Sequence, residues 1–188
     1  MSDNYKCVKR IIDDYCVLDT ETTGLGDYDE VIEIGILQVR NNEVVKKYSQ
    51  LIQPRRRISA FITNLTGITN AMVAGMPSIM DVKDTVLNFF GDDVILGHNV
   101  LFDIRFLNAG FGIKLSNPYM DTRLFAKKVY PELSHHKLSD LTEYLSLTNN
   151  EHRALADCVS TKELYDAIKS KMASQNVGIQ DLWKSYRD

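Results

Sequence analysis

Two carboxylates, Asp19 and Glu21, stand one residue apart in the stretch CVLDTETTGLG, where an apolar run ends. In a strand, residues i and i+2 share a face, so the pair would lie side by side, roughly 7 Å apart. Like charges so placed repel unless a cation lies between them. Taken alone, a DxE pair is as readily a solvated strand end. Asp103 lies in GHNVLFDIRFL among Leu101, Phe102, Ile104, Phe106 and Leu107. A carboxylate so enclosed is costly unless it is paired or holds a metal. Asp157 lies in HRALADCVST, again with apolar neighbours, and His152 comes five residues before it. Each of these two acids also reads as a residue near a helix start, where the dipole favours negative charge. A histidine at a loop–helix junction beside a carboxylate is free to act as a base near neutral pH.

Together the set is Asp19, Glu21, Asp103, Asp157 and His152. Its four carboxylates, oxygen donors, suit a pair of hard divalent cations, Mg²⁺ or Mn²⁺, better than zinc, which usually recruits His and Cys. Two such ions about 4 Å apart can activate a water and stabilise the leaving oxygen in phosphodiester cleavage. A cation between Asp19 and Glu21 is then what makes their spacing tolerable.

These residues must be positioned by the elements around them. Residues 15–20 read as a buried strand and residues 30–40, EVIEIGILQVR, as an Ile- and Val-rich one. Asn41-Asn42 signals a turn into a third strand over residues 44–52, giving an antiparallel meander. Short helical pieces are expected over residues 58–66 and 69–74, and a longer helix from Pro77-Ser78 to Phe90. Residues 94–96 form a short buried strand, and Asn99 is placed to cap a helix running to about Ala109. One more short strand at residues 119–120 precedes helices near 123–129, 137–145, 153–172 and 179–186. Three strands, then alternating helix and strand, then helices, argue for a mixed α/β sheet of about five strands flanked by helices.

At 188 residues the chain reads as a single domain over 1–188, with a core at about 14–173 and a short tail at 174–188. No apolar run is long enough to cross a bilayer, and the first residues show no signal-peptide pattern, so a cytoplasmic protein without membrane contact is expected. Cys7, Cys16 and Cys158 are too widely spaced for a zinc site or a disulfide framework. The net charge of −3 gives no global case for nucleic-acid binding. Local basic runs, Arg55-Arg56-Arg57, Lys127-Lys128 and His135-His136-Lys137, are weighed as solvated surface.

Three ordered motifs then carry a resemblance. VLDTETTGL (17–25), GHNVLFDIRFL (97–107) and HRALADCVST (152–161) are similar to those of the DEDDh 3′→5′ exonucleases of the ribonuclease H-like superfamily. VIEIGILQV (31–39) and LTGIT (65–69) also fit. In the sister group a tyrosine stands four before the last aspartate, where this chain has Arg153, so the histidine type is indicated. The resemblance implies that Asp19, Glu21, Asp103 and Asp157 hold two Mg²⁺ or Mn²⁺ ions and that His152 deprotonates the attacking water. It implies that Thr22 and Leu25, with Asn99 and Phe102, line the pocket of the terminal nucleotide. An apolar residue there can stack on a base without reading it.

The implied activity is stepwise removal of nucleoside 5′-monophosphates from the 3′ end of single-stranded nucleic acid, DNA before RNA. The wording DTETTGL resembles the proofreading exonucleases of bacterial replicative DNA polymerase III more than the oligoribonucleases. A polymerase partner and a homodimer are both open. An RNA-trimming exoribonuclease and a non-catalytic nucleic-acid-binding module on the same fold are the alternatives.

Overall fold

A computed structural model of the chain describes residues 5–148 and 152–175. β1 (Tyr15–Thr22) and β2 (Val31–Arg40) are buried along most of their length, as a continuous apolar run requires of central strands. β3 (Glu43–Leu51) is largely exposed. The β2–β3 hairpin closes through Asn41 and Asn42, both at positive φ (50° and 66°), the conformation that matches the twist of paired strands. β4 (Ile95–Gly97) and β5 (Tyr119–Asp121) are short and fully buried.

The sheet order is β3-β2-β1-β4-β5. β1 pairs antiparallel with β2, and β2 with β3, whereas β4 runs parallel to β1 and β5 parallel to β4. The expected mixed five-stranded sheet is therefore the observed one. Its register sets Asp19 opposite Gly35 and Glu21 opposite Glu33, with an irregularity between Glu21 and Thr22.

Helices cover both faces. Tyr15, Val17, Leu37 and Val39 face one cluster, which takes in residues of α5 (Thr122–Val129), α6 (Leu138–Leu145) and α7 (Ala154–Ser174). Cys16, Leu18, Ile34 and Ile36 face the other, with α3 (Lys83–Phe90) and α4 (Leu101–Phe111). α1 (Ala60–Thr66) and α2 (Asn70–Val73) enclose a small third cluster around Ile32, Ile62 and Ile68.

Two expectations differ. The helix expected from Pro77 begins only at Lys83. Ser78 donates its N–H (2.8 Å) and hydroxyl (2.7 Å) to the Asp81 carboxylate, and this local turn competes with helix. Asn99 is not the cap of α4: Val100 occupies that position without a side-chain capping bond, and Asn99 sits ahead of it at φ 69°. The helix expected over 179–186 lies outside the described residues.

Docking of α7 against β2 depends on two residues of that strand. A Cβ on Gly35 would fall 2.5 Å from Ala154 O and closer still to Ala154 C and Leu155 N, so only glycine admits the helix start at this height. Glu33, 1% exposed, accepts from the Arg153 guanidinium at 2.7 Å and from the Ala154 N–H at 3.0 Å. A buried carboxylate left without these donors would be strongly unfavourable, so the pair ties the first turn of α7 to the sheet.

Candidate active site

Asp19 and Glu21 project from the end of β1 on the face that α7 covers. Glu21, His152 and Asp157 each bring one ligand atom within 4.8 Å of the others. Asp103 arrives from the first turn of α4. It is buried and accepts two hydrogen bonds from Thr20, from the N–H at 2.9 Å and from the hydroxyl at 2.7 Å. Because Thr20 lies between Asp19 and Glu21, one strand end fixes three of the four carboxylates.

The electrostatics report how close they are. Asp19 is raised well above the usual carboxylate range by burial and then by the charges of Asp103, Asp157 and Glu21. Burial, with Asp157 and Glu33 beside it, pushes Glu21 up to about 8. Asp157 is raised to about 7 by burial and then by Glu33. Asp103 is raised by burial, against the hydrogen bonds from Thr20. Four carboxyls that resist ionising together, all presenting oxygen, are a fitting donor set for hard divalent cations.

This predicts a pH dependence. The unfolded chain's carboxyls titrate near roughly 4. Their stabilising share in the metal-free fold is complete below that pH and is lost progressively as pH climbs through about 7 for Asp157 and about 8 for Glu21. Cations that hold the ionised forms reverse the loss. Thermal scans in EDTA are expected to give a lower midpoint at about pH 8 than at about pH 5.5, and added Mn²⁺ to raise the midpoint more at the higher pH. An equal rise at both pH values would count against metal binding by these groups.

His152 is exposed and adopts φ 54° just before α7. His98, by contrast, is a structural residue. Its ring nitrogens lie 3.0 Å from Thr122 Oγ1 and 2.9 Å from His136 O, and burial pushes its pKa down to about 4.

The four residues expected to line the nucleotide pocket are placed as follows. Thr22 is buried, and its hydroxyl donates to Gly24 O at 2.6 Å, closing the turn after β1. Leu25 is 78% exposed on that turn. Phe102 stands next to Asp103 with its ring centroid 4.8 Å from that of Phe106. Asn99 is exposed, and its N–H donates to Asp121 Oδ1 at 3.0 Å. Arg105 links two of the four, donating to Leu25 O at 3.0 Å while lying 5.6 Å over the Phe102 ring.

Sequence reasoning missed Thr20, Glu33, Gly35 and Asp121 as positioning residues. Glu33 left a usable signal, since an acid inside an otherwise apolar strand has to be paired. Of the basic runs, Arg55 is ion-paired with Glu30 at 2.7 Å, and His136 Nε2 lies 3.0 Å from Tyr130 O. No helix among the described residues is long and apolar enough to cross a membrane.

The profile of the RNase_T family, described as exonuclease, matches residues 16–165. The PolC-type DNA polymerase III of Latilactobacillus sakei subsp. sakei (strain 23K) is 37% identical over 191 residues, covering 93% of this chain and 13% of the relative. The chain thus spans about an eighth of the length of that curated relative. The solved structure of exonuclease X in complex with 5′ overhanging duplex DNA superposes with a TM-score of 0.71 at 27% identity, covering 89% of this chain and 96% of that one. The nuclease domain of 3′hExo, a DEDDh family member bound to rAMP, gives a TM-score of 0.71 at 20% identity over 93% of this chain and 95% of its own, a likeness of fold.

Proposed function

From the premise that this chain belongs to the exonuclease family, we propose that it is a metal-dependent 3′→5′ exonuclease acting on single-stranded DNA and releasing nucleoside 5′-monophosphates. The observation that carries the proposal is the convergence of Glu21, His152 and Asp157, with Asp19 in the same field and Asp103 held by Thr20. Family members work with divalent cations. Here Asp19, Glu21, Asp103 and Asp157 would hold two, Mg²⁺ or Mn²⁺. Bound there, the cations supply water activation and neutralise charge developing on the phosphate oxygens.

The chain's own residues do the rest. His152, at the solvent edge beside Glu21 and Asp157, takes the proton of the attacking water. Thr20 holds the Asp103 carboxylate against its neighbours' repulsion. Leu25 and Phe102 flank the terminal base without hydrogen-bonding its edge, which fits digestion tolerant of sequence. Thr22 shapes the turn that carries Leu25, and Asn99 borders the pocket from the start of α4. On this reading residues 1–188 act as one exonuclease domain working in the cytoplasm. The similarity to PolC-type polymerase III supports a proofreading setting beside a polymerase.

The test is a gel assay with 5′-labelled single-stranded DNA and RNA, in Mg²⁺, Mn²⁺ or EDTA, with a 3′-phosphate-blocked control. A metal-dependent ladder shortening from the free 3′ end is expected, faster on DNA. A faster RNA ladder would reassign the substrate to the 2′-hydroxyl-bearing strand. Substrates bound but intact under every metal condition would leave a binding module as the better account.

A further inference from the structure

The loop between β1 and β2 holds its own shape. Thr23 Oγ1 donates to Asp29 Oδ1 at 2.8 Å, and the Gly26 N–H donates to Asp29 Oδ2 at 2.8 Å. Gly24 is packed so tightly on this network that a Cβ there would meet Asp29 Oδ2 at 2.5 Å. Such a loop moves as a unit, and what sets its position is how it is tied to its surroundings. On one side Glu30 accepts from Arg55, through the backbone N–H at 3.0 Å and Nε at 2.7 Å. On the other side the tie is Arg105, from the second turn of α4. Its Nη2 donates to Leu25 O at 3.0 Å and its Nη1 to Asp27 Oδ1 at 3.0 Å. The same guanidinium lies 5.6 Å over the Phe102 ring and 4.9 Å over the Phe106 ring.

Arg105 therefore touches both walls of the nucleotide pocket. Leu25 is on the loop, Phe102 is on the helix, and the guanidinium spans them. Hollows lie on both sides of it. One of about 180 Å³ is lined by Gly26, Asp27, Asp29, Arg105, Phe106 and Ala109. Another of about 410 Å³ runs past Leu101, Arg105 and Asn108 towards Tyr5 and Lys114. The smaller hollow borders the loop, which therefore has room to shift if the guanidinium is removed.

We propose that Arg105 is a positioning residue that fixes the aperture between Leu25 and Phe102, and through it the seating of the 3′-terminal nucleotide over the carboxylates. The inference rests on reading that site as a nucleotide site. Arg105 does not touch the reacting atoms. It acts through Leu25, so its removal weakens substrate binding and leaves the chemical step and the metals alone. The Arg105–Asp27 pair is a surface ion pair with Asp27 almost fully exposed, and such pairs add little to stability. Arg105→Met keeps the apolar stem and removes the donors, so its thermal midpoint should match the wild type.

The experiment compares wild type and Arg105→Met in KM and kcat on single-stranded DNA, and in calorimetric titrations with Mn²⁺ alone and with dTMP in the presence of Mn²⁺. KM is expected to rise about tenfold with kcat within about twofold, dTMP binding to weaken by the same factor, and Mn²⁺ affinity to hold. Arg105→Lys should recover part of the loss. In a Leu25→Ala background the same Arg105→Met change should do little, because the carbonyl that Arg105 holds remains but the apolar wall it positions is gone. A full effect in that background, with a salt dependence reduced by about one charge, would mean that Arg105 binds a phosphate directly and would overturn the proposal. So would an unchanged KM, or a fall in kcat alone. If the wild type degrades no strand yet binds dTMP, the exonuclease reading fails while the dTMP comparison still decides the role of Arg105. A wild type that neither cleaves nor binds overturns both.

Discussion

Asp103→Asn is expected to leave the chain folded and to reduce strand shortening by at least about 10³-fold, roughly 4 kcal/mol in the barrier. Asparagine has the shape of aspartate and keeps an Oδ1 that can accept from the Thr20 N–H and hydroxyl. What disappears is one negative charge of the carboxylate cluster, the one that weighs most on Asp19. A divalent cation there loses a strong ligand, and the remaining acids cannot compensate from where the backbone holds them. Without metal the same change relieves repulsion on Asp19, whose carboxyl is held high partly by the Asp103 charge. The metal-free thermal midpoint should therefore equal or exceed that of the wild type, while the Mn²⁺-induced rise shrinks. Asp157→Asn should behave alike. Initial rates on labelled single-stranded DNA, with scans in EDTA and in Mn²⁺, check both halves. A variant keeping more than about a tenth of wild-type activity would remove Asp103 from the mechanism.

Gly35→Ala should damage the site from across the sheet. The added methyl would lie within 2.5 Å of Ala154 O and nearer to Ala154 C and Leu155 N, all backbone atoms that no rotamer change can move. Either β2 or the first turn of α7 must shift. Overpacking of this kind costs about 1–3 kcal/mol, and in a domain of this size each kcal/mol lowers the midpoint by about 2–4 °C. The larger effect falls on rate, because that turn carries Asp157 and follows His152. A displacement of about 1 Å can cost about 10² in turnover. A thermal scan and an initial-rate measurement suffice. Wild-type values of both would mean that α7 does not start over Gly35 at the described height.

The central strands and the hairpin were legible because their signals are local: the apolar run Tyr15-Cys16-Val17-Leu18 in β1, Ile and Val in β2, and an Asn-Asn pair where two positive φ angles are needed. The mixed sheet followed from element order. The residues proposed for the chemistry stood out in the sequence because the four acids lie beside apolar runs where an ionisable group needs a reason, and His152 because it stands five residues before Asp157. The devices that hold them together were not. Thr20 matters because Asp103, far along the chain, arrives within hydrogen-bond reach. Glu33 and Gly35 matter because the strand register sets them opposite Glu21 and Asp19, beneath the start of α7. Such pairings exist only once the chain is folded, so spacing along the sequence does not carry them. Asn99 was misread as a cap because a side chain able to cap is not bound to do so. Its backbone is instead held by Asp121 in the left-handed region.

The docking of α7 through Glu33, Arg153 and Gly35 also bears on how the protein is made. A ribosome delivers Asp19, Glu21 and Asp103 long before the turn that bears His152 and Asp157. On the proposed chemistry, a nascent or truncated chain that stops short of residue 152 holds three acids but neither the fourth nor the base. It stays inert towards the messenger and genome around it until α7 closes onto the sheet.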